Sequence, residues 1–410
     1  MNSQFDRILI RGVNWLGDAV MTTPALMRLR EKFPGAHITL LTPEKLKDLW
    51  LVAPKQSEGG IGHPAIDEII TFAASETVLA VVKKLRRWGE RPREPISNQS
   101  GIQAAAREYA RLTQFDLALV LPNSPRSAME TWLARIPQRI GYARPWRNWF
   151  LTQTVPSRPG AVKMQKRTVA EIQQLVAADV SRRTIPQNRA FTSAATTSHQ
   201  IHEYLHLVAA LGANPEPLPP QLFVSPDEIE AARKKFGLEQ ITQPIFGLNP
   251  GAEYGPAKRW PVERFIAAAK EIQQRANCTW LIFGGAGDTP IANQIESALH
   301  TPHSALRNLS GRTSLRELMA TLKLCRVLLT NDSGPMHVAA ALGTPVVVPF
   351  GSTSPELTGP GLPGDPRHRL LKSGAPCSPC FLRECPIDFR CMTGITVERV
   401  VEAVLDASKG

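Results

Sequence analysis

Short apolar runs alternate with longer helical patterns along the whole chain, and this alternation constrains the fold more than any other feature. A strand followed by a helix and another strand predicts a parallel sheet with right-handed crossovers, whose ligands bind beyond the carboxyl ends of the strands. The strand patterns are Arg7 to Arg11, Ile38 to Leu41, Leu117 to Leu121, Ile245 to Leu248, Trp280 to Phe283, Val327 to Leu329 and Val346 to Pro349. The helical patterns include Thr22 to Lys32, Thr77 to Arg87, Ser198 to Leu211 and Val262 to Ala276. We therefore expect an α/β fold.

A proline-rich segment at 213–226 divides this alternation into two halves. It contains Asn-Pro-Glu-Pro-Leu-Pro-Pro, which is too rich in proline for a helix or a central strand. We predict an N-terminal domain at 1–212, a linker at 213–226 and a C-terminal domain at 227–395. A last helix within 396–410 has an apolar face of valines, and a terminal helix of this kind often packs back on the first of two domains. A chain of 410 residues with 43% apolar and 20% charged residues is long enough to bury two globular cores.

The turn Asn249 to Pro261 joins an apolar strand to a helix and reads Asn-Pro-Gly-Ala-Glu-Tyr-Gly-Pro-Ala-Lys-Arg-Trp-Pro. A helix N-terminus exposes backbone N–H groups and the positive end of the helix dipole, which attract an anion. Lys258 and Arg259 add two cations. The turn therefore predicts a phosphate or diphosphate site, and the alternative is an ordinary loop with two solvated cations.

A second turn follows the strand at Val327 and reads Thr-Asn-Asp-Ser-Gly-Pro-Met-His from Thr330 to His337. Asp332 and Ser333 occupy positions typical of a helix N-cap, so one interpretation is a capped helix without a ligand. The same helix opening can also hold hydroxyl or phosphate oxygens.

Both turns closely resemble those of the ADP-heptose:lipopolysaccharide heptosyltransferases, glycosyltransferase family 9. A third similarity lies at Asn14-Trp15-Leu16-Gly17-Asp18 and the following Thr22 to Leu26. The resemblance covers most of the chain, and residues 55–63, 91–113 and the C-terminal cysteine segment look like additions to the family pattern. It implies the GT-B architecture, in which two Rossmann-like domains face a cleft and the C-terminal one binds the nucleotide sugar.

The resemblance also implies an inverting reaction with ADP-heptose as donor and no cofactor required for catalysis. Asp18 matches the catalytic aspartate, the general base, although it could instead be the N-cap of a helix that begins near Ala19. Lys258 would neutralise the departing diphosphate and Asp332 would bind the sugar. Asp288, after a glycine-rich turn, is expected to meet the ribose or base. The donor-binding set is Gly251, Ala252, Glu253, Lys258, Asp288, Asp332, Ser333, Gly334 and His337.

The net charge of +12 lies entirely in the first half of the chain. Residues 1–190 contain 28 Lys and Arg against 16 Asp and Glu, whereas residues 191–410 contain 20 of each. In the family, the first half binds the lipopolysaccharide inner-core acceptor, which is anionic and lies at a membrane surface. The alternative is solvated surface charge, for which Arg86, Arg87, Arg91, Arg93, Arg107 and Arg111 are candidates. The residues from Glu253 to Trp260 favour addition of the second heptose, onto the first heptose of the Kdo-lipid A core. The alternatives are addition of the first or third heptose, or a related transfer from another nucleotide-sugar donor.

No stretch approaches the roughly 20 apolar residues that span a bilayer, and the N-terminus lacks a signal-peptide pattern. We expect a cytoplasmic protein in peripheral contact with the inner face of the cytoplasmic membrane. Two other classes fit less well. A nucleic-acid-binding protein would interleave its basic residues with aromatics, and a nicotinamide-dependent oxidoreductase would show Gly-x-Gly-x-x-Gly, where this chain has Gly12-x4-Gly17.

Four of the six cysteines lie close together as Cys377-x2-Cys380-x4-Cys385-x5-Cys391. This spacing can close around a tetrahedral ion, so one hypothesis is a structural zinc that stabilises a proline-broken segment. An iron–sulfur cluster and unligated or disulfide-forming thiols remain alternatives. Because the donor turns lie elsewhere in the sequence, we expect nucleotide binding to survive removal of such a metal. Cys278 and Cys325 border apolar strands and are expected to be buried.

Overall fold

The computed structural model describes residues 5–51, 62–88, 115–180, 197–300 and 306–409. The chain forms two compact units. Unit 1 comprises Met1–Pro159 and Ile201–Pro217, and unit 2 comprises Gly160–Gln200 and Leu218–Gly410. None of the helices in the described residues combines the length and apolar character required to cross a membrane.

Each unit contains one six-stranded sheet in which every pair of neighbouring strands is parallel. The strands of unit 1 are β1 Arg7–Arg11, β2 His37–Pro43, β3 Glu68–Phe72, β4 Leu117–Val120, β5 Gln138–Tyr142 and β6 Gln153–Val155. Those of unit 2 are β7 Ile245–Asn249, β8 Thr279–Ile282, β9 Leu306–Asn308, β10 Val327–Thr330, β11 Val346–Phe350 and β12 Arg369–Lys372.

Helices connect these strands. The α-helices of the described residues are α1 Leu16–Lys32, α2 Val78–Trp88, α3 Pro125–Leu133, α4 Val169–Val180, α5 Ile201–Ala209, α6 Pro226–Lys235, α7 Val262–Ala276, α8 Thr289–Leu299, α9 Leu315–Leu324, α10 Gly334–Ala341, α11 Pro355–Thr358, α12 Arg390–Thr393 and α13 Val397–Ala407. Polar caps define several of their starts. Ser225 and Ser314 each form a capping box, with Glu228 and Glu317 respectively.

The two sheets have the same doubly wound strand order. Sheet 1 runs β3-β2-β1-β4-β5-β6 and sheet 2 runs β12-β11-β10-β7-β8-β9. In both, the direction of winding reverses between the first and fourth strands of the unit, at β1/β4 and at β7/β10. Loops diverge at such a switch point and leave a crevice at the carboxyl ends of the two strands, which is where open α/β sheets bind ligands. The α/β prediction with two Rossmann-like units is confirmed.

A large hydrophobic core of unit 2 combines side chains from residues 246 to 407, including the C-terminal helix. Trp260, Trp280 and Phe265 pack in it with Val400 and Val404 of α13. The C-terminal helix therefore packs within unit 2, and the expectation that it packs on the N-terminal domain is wrong. The sequence correctly predicted that its valines form a buried face. An apolar face alone does not show which part of the protein the helix packs against.

The domain boundaries also differ from the expectation. Gly160–Gln200 belongs to unit 2, although it precedes the proline-rich segment. The backbone N–H of Arg167 donates to the carbonyl of Cys380 at 3.0 Å, and Gln200 N–H to that of Leu357 at 2.9 Å. The chain passes between units at Pro217, inside the predicted linker, and α6 begins at Pro226, the last residue of that linker. Residues 91–113 and most of 55–63 lie outside the described residues.

Candidate functional site

The loop Pro250–Pro261, between β7 and α7, is fixed at both ends by one buried side chain. Asn331 donates from Nδ2 to the carbonyl of Pro250 at 2.7 Å and accepts at Oδ1 from the backbone N–H of Trp260 at 2.9 Å. Asn331 lies at the carboxyl end of β10, so it joins the two strands of the switch point. The loop is thereby held in one shape before any ligand arrives, which lowers the entropy cost of binding.

Asn249, the last residue of β7, makes a second connection across the switch point. Its Nδ2 donates to Oγ1 of Thr330 at 2.9 Å and to Oγ of Ser333 at 3.1 Å. Ser333 is the N-cap residue of α10, yet its side chain makes no capping hydrogen bond. The start of α10 therefore lacks its usual side-chain acceptor, an arrangement suited to an external anion.

Lys258 and Asp332, predicted from separate turns, meet in this crevice. Lys258 Nζ lies 2.6 Å from Asp332 Oδ2, with exposed fractions of 14% and 4% for the two side chains. The same carboxylate oxygen accepts from the hydroxyl of Thr353 at 2.6 Å. Lys258 Nζ also lies 5.0 Å from the centre of the Tyr254 ring, within range of a cation–π contact. The ammonium is thus placed beside the start of α10 in a poorly hydrated setting, where it stabilises negative charge strongly.

His337 lies one turn into α10 and is buried. Burial lowers its pKa to about 4, although the nearby Asp332 carboxylate acts in the opposite direction. The imidazole is therefore neutral at pH 7, and any contact it makes with a ligand is a hydrogen bond and not an ion pair.

Asp288 stands at the start of α8 and turns toward the loop after β7. Its Oδ2 accepts from the backbone N–H of Gly285 at 3.0 Å, and its Oδ1 lies 3.7 Å from Arg259 Nη2. A Cβ on Gly251 would come within 2.4 Å of this carboxylate, so a larger residue there would displace the Asp288 side chain. Asp288 thus supports the loop, and its contact with a ribose or base stays a prediction. Of the neighbouring predicted residues, Ala252 is buried and Glu253 is exposed.

Asp18 belongs to unit 1, at the carboxyl end of β1. The structure excludes the interpretation that it is an N-cap, because α1 begins at Leu16 with Trp15 as its N-cap residue. Asp18 lies in the first turn, where the helix dipole favours a carboxylate. The hydroxyl of Tyr204 lies 3.5 Å from its Oδ1. The side chain is half-buried, so a bound hydroxyl can reach it.

Below this loop, unit 1 contains a buried ion pair. Arg11 Nε donates to Glu130 Oε2 at 2.8 Å, and the two side chains are 3% and 0% exposed. The same guanidinium donates through Nη1 to the carbonyl of Gly12 at 2.6 Å and to Oδ1 of Asn14 at 3.3 Å. Arg11 therefore holds the β1–α1 loop that leads into the first turn of α1, where Asp18 lies.

The four clustered cysteines belong to a segment, Cys377–Cys391, that contacts the β7–α7 loop directly. The carbonyl of Arg383 accepts from the backbone N–H of Ala257 at 2.9 Å, and that of Phe381 accepts from the Tyr254 hydroxyl at 2.8 Å. A Cβ on Gly255 would lie 2.6 Å from the Arg383 carbonyl oxygen. This cysteine segment thus supports the loop that carries Lys258.

All six cysteines are free thiols, and Cys278 and Cys325 are buried as expected. Burial, with smaller contributions from the nearby thiols of Cys377, Cys385 and Cys380, raises the pKa of Cys391 to about 12. The four thiols are therefore neighbours. In the part of the chain that the structure describes, however, no three His, Cys, Asp or Glu side chains are arranged to hold a metal ion. Zinc binding would require the thiols to move closer together, and it stays a prediction.

A separate pocket lies beside α11 and β12, lined by His199, Glu356, Asp365 and His368 among others. None of the predicted site residues lines it. The geometry at the β7/β10 switch point, and not the size of a cavity, therefore identifies the candidate site.

Sequence reasoning assigned no role to four residues that organise the site. They are Asn249, Tyr254, Asn331 and Thr353. A signal existed for the two asparagines, because each lies at the end of a strand of the predicted sheet. Nothing in the sequence pairs Thr353 with Asp332 or Tyr254 with Phe381, since those contacts depend on how distant loops meet.

Comparison with known proteins gives consistent results. The model of glycosyltransferase family 9 (heptosyltransferase) matches residues 178–389. Lipopolysaccharide heptosyltransferase 2 of Salmonella typhimurium is 30% identical over 360 residues, which cover 86% of this chain and 85% of that protein. The structure of Escherichia coli ADP-heptose lipopolysaccharide heptosyltransferase II matches with a TM-score of 0.67 and 26% identity, over 98% of both chains. A family 9 glycosyltransferase from Veillonella parvula, at 21% identity and a TM-score of 0.69, shares the fold over 100% of this chain and 99% of its own.

Proposed function

Since the chain belongs to glycosyltransferase family 9, the heptosyltransferases, we propose that it transfers L-glycero-D-manno-heptose from ADP-heptose to the inner core of lipopolysaccharide. The acceptor is the first heptose of the Kdo-lipid A core, and the product contains the second. The relatives named heptosyltransferase 2 match over most of their length, which supports this choice of acceptor.

One observation carries the proposal for the donor. Lys258 and Asp332 form a 2.6 Å pair at the β7/β10 switch point, beside the start of α10. A diphosphate needs a positioned cation and backbone N–H groups, and a heptose needs a hydrogen-bond acceptor for its hydroxyls. The ammonium and the helix start meet the first requirement, and the Asp332 carboxylate meets the second. His337, Ser333 and Gly334 complete the donor site, as do Gly251, Ala252 and Glu253 of the loop.

Asp18 acts as the general base in this proposal. Its carboxylate accepts the proton of the acceptor hydroxyl as the oxygen attacks the anomeric carbon of the heptose. The bond from that carbon to the ADP oxygen breaks, and its electron pair leaves with the diphosphate, which Lys258 stabilises. Attack opposite the leaving group inverts the anomeric configuration. The charge of the leaving group is met by these protein groups, so the reaction is proposed to require no metal or other cofactor.

The acceptor is anchored in a membrane by its lipid, so we place the protein in the cytoplasm, in peripheral contact with the inner face of the cytoplasmic membrane. The excess of positive charge in residues 1–190 supports this placement, because lipid A, Kdo and anionic phospholipids are all negatively charged.

The proposal is tested by incubating the purified chain and ADP-heptose with three acceptors. These are the Kdo-lipid A core without heptose, the same core with one heptose, and the core with two. We expect ADP release and the mass of one added heptose only with the second acceptor, in a buffer without added divalent cations. Transfer to the heptose-free core would instead identify a first-heptose enzyme, and transfer to the two-heptose core a third-heptose enzyme. No transfer to any of them would contradict the proposal.

A further inference from the structure

Two tryptophans of unit 1 are almost fully exposed on one turn. Trp146 is 84% exposed and Trp149 is 87% exposed, both in the connection between β5 and β6. Large aromatic side chains contribute most of their stabilisation through burial, so two such side chains in water on one turn mark a surface that meets a partner.

The turn is built to display them. Arg147, between the two tryptophans, is 0% exposed, and its Nη1 donates to the carbonyl of Pro122 at 2.7 Å and to Oδ1 of Asn123 at 3.3 Å. A Cβ on Gly141 would lie 2.7 Å from Nη2 of this arginine, so glycine makes room for the guanidinium. Phe150 packs on the cluster of Val120, Ala128 and Leu151. The backbone of Trp146 has φ of +64°, which a bulky residue adopts only when its surroundings hold it there.

The sequence around the turn carries an excess of positive charge, although Arg147 is buried and Arg158 pairs with Glu203 at 3.3 Å. Between Thr131 and Pro159 the chain contains five arginines and no acidic residue. Arg144, two residues before Trp146, is partly exposed. A cationic surface with indoles suits the headgroup region of an anionic bilayer, because indoles favour the boundary between water and hydrocarbon while arginines bind phosphates.

The turn also lies at the edge of the sheet that matters for the reaction. It follows the carboxyl end of β5, and Asp18 follows the carboxyl end of β1 in the same parallel sheet. Both therefore lie at one edge of sheet 1. A membrane held against this edge would bring a lipid-anchored acceptor toward Asp18.

We propose that the turn Ala143–Phe150 is the membrane-docking element of the protein, and that Trp146 and Trp149 insert among the headgroups of an anionic lipid surface. The inference rests on the proposed function only in that the acceptor is anchored in a membrane. Tryptophans that stack on a sugar would not need an excess of arginines beside them. A protein partner would usually require charges of both signs.

The test measures binding of the full chain to vesicles that contain phosphatidylcholine with or without phosphatidylglycerol, and that lack lipopolysaccharide and ADP-heptose. We expect binding to the anionic vesicles that weakens with added salt, together with a blue shift of tryptophan emission. The double variant Trp146→Ser/Trp149→Ser should bind at least about tenfold more weakly, with an unchanged melting temperature because the removed side chains are exposed. Leu79→Ser, which removes another exposed apolar side chain of unit 1, should bind like the wild type.

Activity measurements on a soluble and on a membrane-embedded acceptor distinguish a role in membrane docking from a role in catalysis. With a water-soluble, deacylated acceptor the double variant should keep activity within about twofold of the wild type, whereas with acceptor embedded in anionic vesicles it should lose about tenfold or more. The proposal would be overturned if the wild-type protein did not bind anionic vesicles, or if the double variant bound them with wild-type affinity. An equal loss of activity on both acceptors would also overturn it and assign the indoles to the sugar. Because vesicle binding needs neither donor nor acceptor, its outcome is independent of the proposed transfer reaction.

Discussion

At the scale of single residues, the candidate site is an ion pair that a ligand must reorganise. The Lys258 ammonium is neutralised by Asp332 in the free protein, so a bound diphosphate has to share this cation. Asp332 does not lose its orientation when that happens, because Thr353 donates to the same oxygen. The carboxylate thereby remains available to a sugar hydroxyl. This division is the one that the proposed function requires, with the phosphates at Lys258 and the heptose at Asp332.

Substitution of the two partners should therefore affect different parts of the donor. Lys258→Ala should weaken ADP and ADP-heptose together and slow the reaction, because it removes the cation beside the diphosphate. Asp332→Asn should weaken ADP-heptose by about tenfold or more, because it removes a charged acceptor for the sugar, whereas ADP should bind at least as well as to the wild type because Lys258 is freed. Calorimetry with both ligands checks this. Equal losses for ADP and ADP-heptose in the Asp332 variant would rule out the sugar contact.

Asp18 gives a second prediction at this scale. Asp18→Ala should lower turnover by about 10²- to 10⁴-fold, as expected of a general base, and leave ADP affinity intact. The residue is not the helix cap, so the melting temperature should change little. Tyr204→Phe is the control, because it removes the hydroxyl that lies 3.5 Å from the carboxylate and keeps the ring. An Asp18 variant with near wild-type turnover at saturating acceptor would show that the base lies elsewhere.

Buried histidines predict how stability depends on pH. Burial lowers the pKa of His368 to about 4, against an ordinary value of 6.5. The unfolded chain therefore binds a proton that the folded chain does not, and stability is lost as the pH falls from 6.5 toward 4. At pH 5 the loss amounts to at most about 2 kcal/mol. His368→Asn can still accept the Val346 N–H that Nδ1 accepts at 3.3 Å. In urea unfolding at pH 7 and pH 5, this variant should lose less stability than the wild type, and an equal loss would contradict the assignment.

At the scale of elements, the cysteine segment and the β7–α7 loop behave as one structure. The ring of Tyr254 contacts two cations, because its centre lies 5.0 Å from Lys258 Nζ and 5.2 Å from the Arg383 guanidinium carbon. The segment is anchored in turn by Phe381, whose N–H donates to the carbonyl of Ser352 at 2.7 Å. Any change in the segment should consequently reach Lys258, although the two are more than a hundred residues apart in the sequence.

A methyl group at the contact tests this coupling. Gly255→Ala places a Cβ within 2.6 Å of the Arg383 carbonyl oxygen, so the loop and the segment must separate. ADP affinity should fall by about tenfold or more while the protein remains folded, since a displacement of this kind costs about 1–3 kcal/mol. Gly287→Ala is the matched control, because a Cβ there meets nothing within 4 Å. If both variants bind ADP like the wild type, the segment does not support the loop.

Metal content gives the second element-scale prediction. We expect about one zinc per chain on Cys377, Cys380, Cys385 and Cys391, and a lower melting temperature after chelation. The contacts with Tyr254 and Ala257 revise the sequence-based expectation that nucleotide binding survives unchanged. Chelation should now weaken ADP as well. Elemental analysis after chelator-free purification decides the matter, and a metal-free protein with four freely titratable native thiols would exclude the zinc site.

At the scale of the whole molecule, the sequence predicted the parts of each sheet that are most buried. The central strands β1, β4, β7 and β10 appear as apolar runs because helices cover both faces. Peripheral strands such as β5, Gln-Arg-Ile-Gly-Tyr, and β9, Leu-Arg-Asn, were missed because they lack such runs. The membership of Gly160–Gln200 in unit 2 was missed for another reason, since long-range contacts define it and no local pattern records them.

The sequence also predicted only part of the candidate site. Lys258 and Asp332 could be predicted because each follows a central strand and the carboxyl ends of neighbouring parallel strands share one edge. The supporting side chains could not, because Thr353 and Phe381 come from loops whose positions depend on the packing of unit 2.

The donor diphosphate is proposed to bind at the β7/β10 switch point of unit 2, and a crystal structure of the protein with ADP tests this most directly. We predict diphosphate density at the start of α10, with Lys258 Nζ within hydrogen-bonding distance of a phosphate oxygen and Asp332 still bonded to Thr353. Diphosphate density elsewhere, with the 2.6 Å pair of Lys258 and Asp332 unchanged, would contradict this location of the donor site.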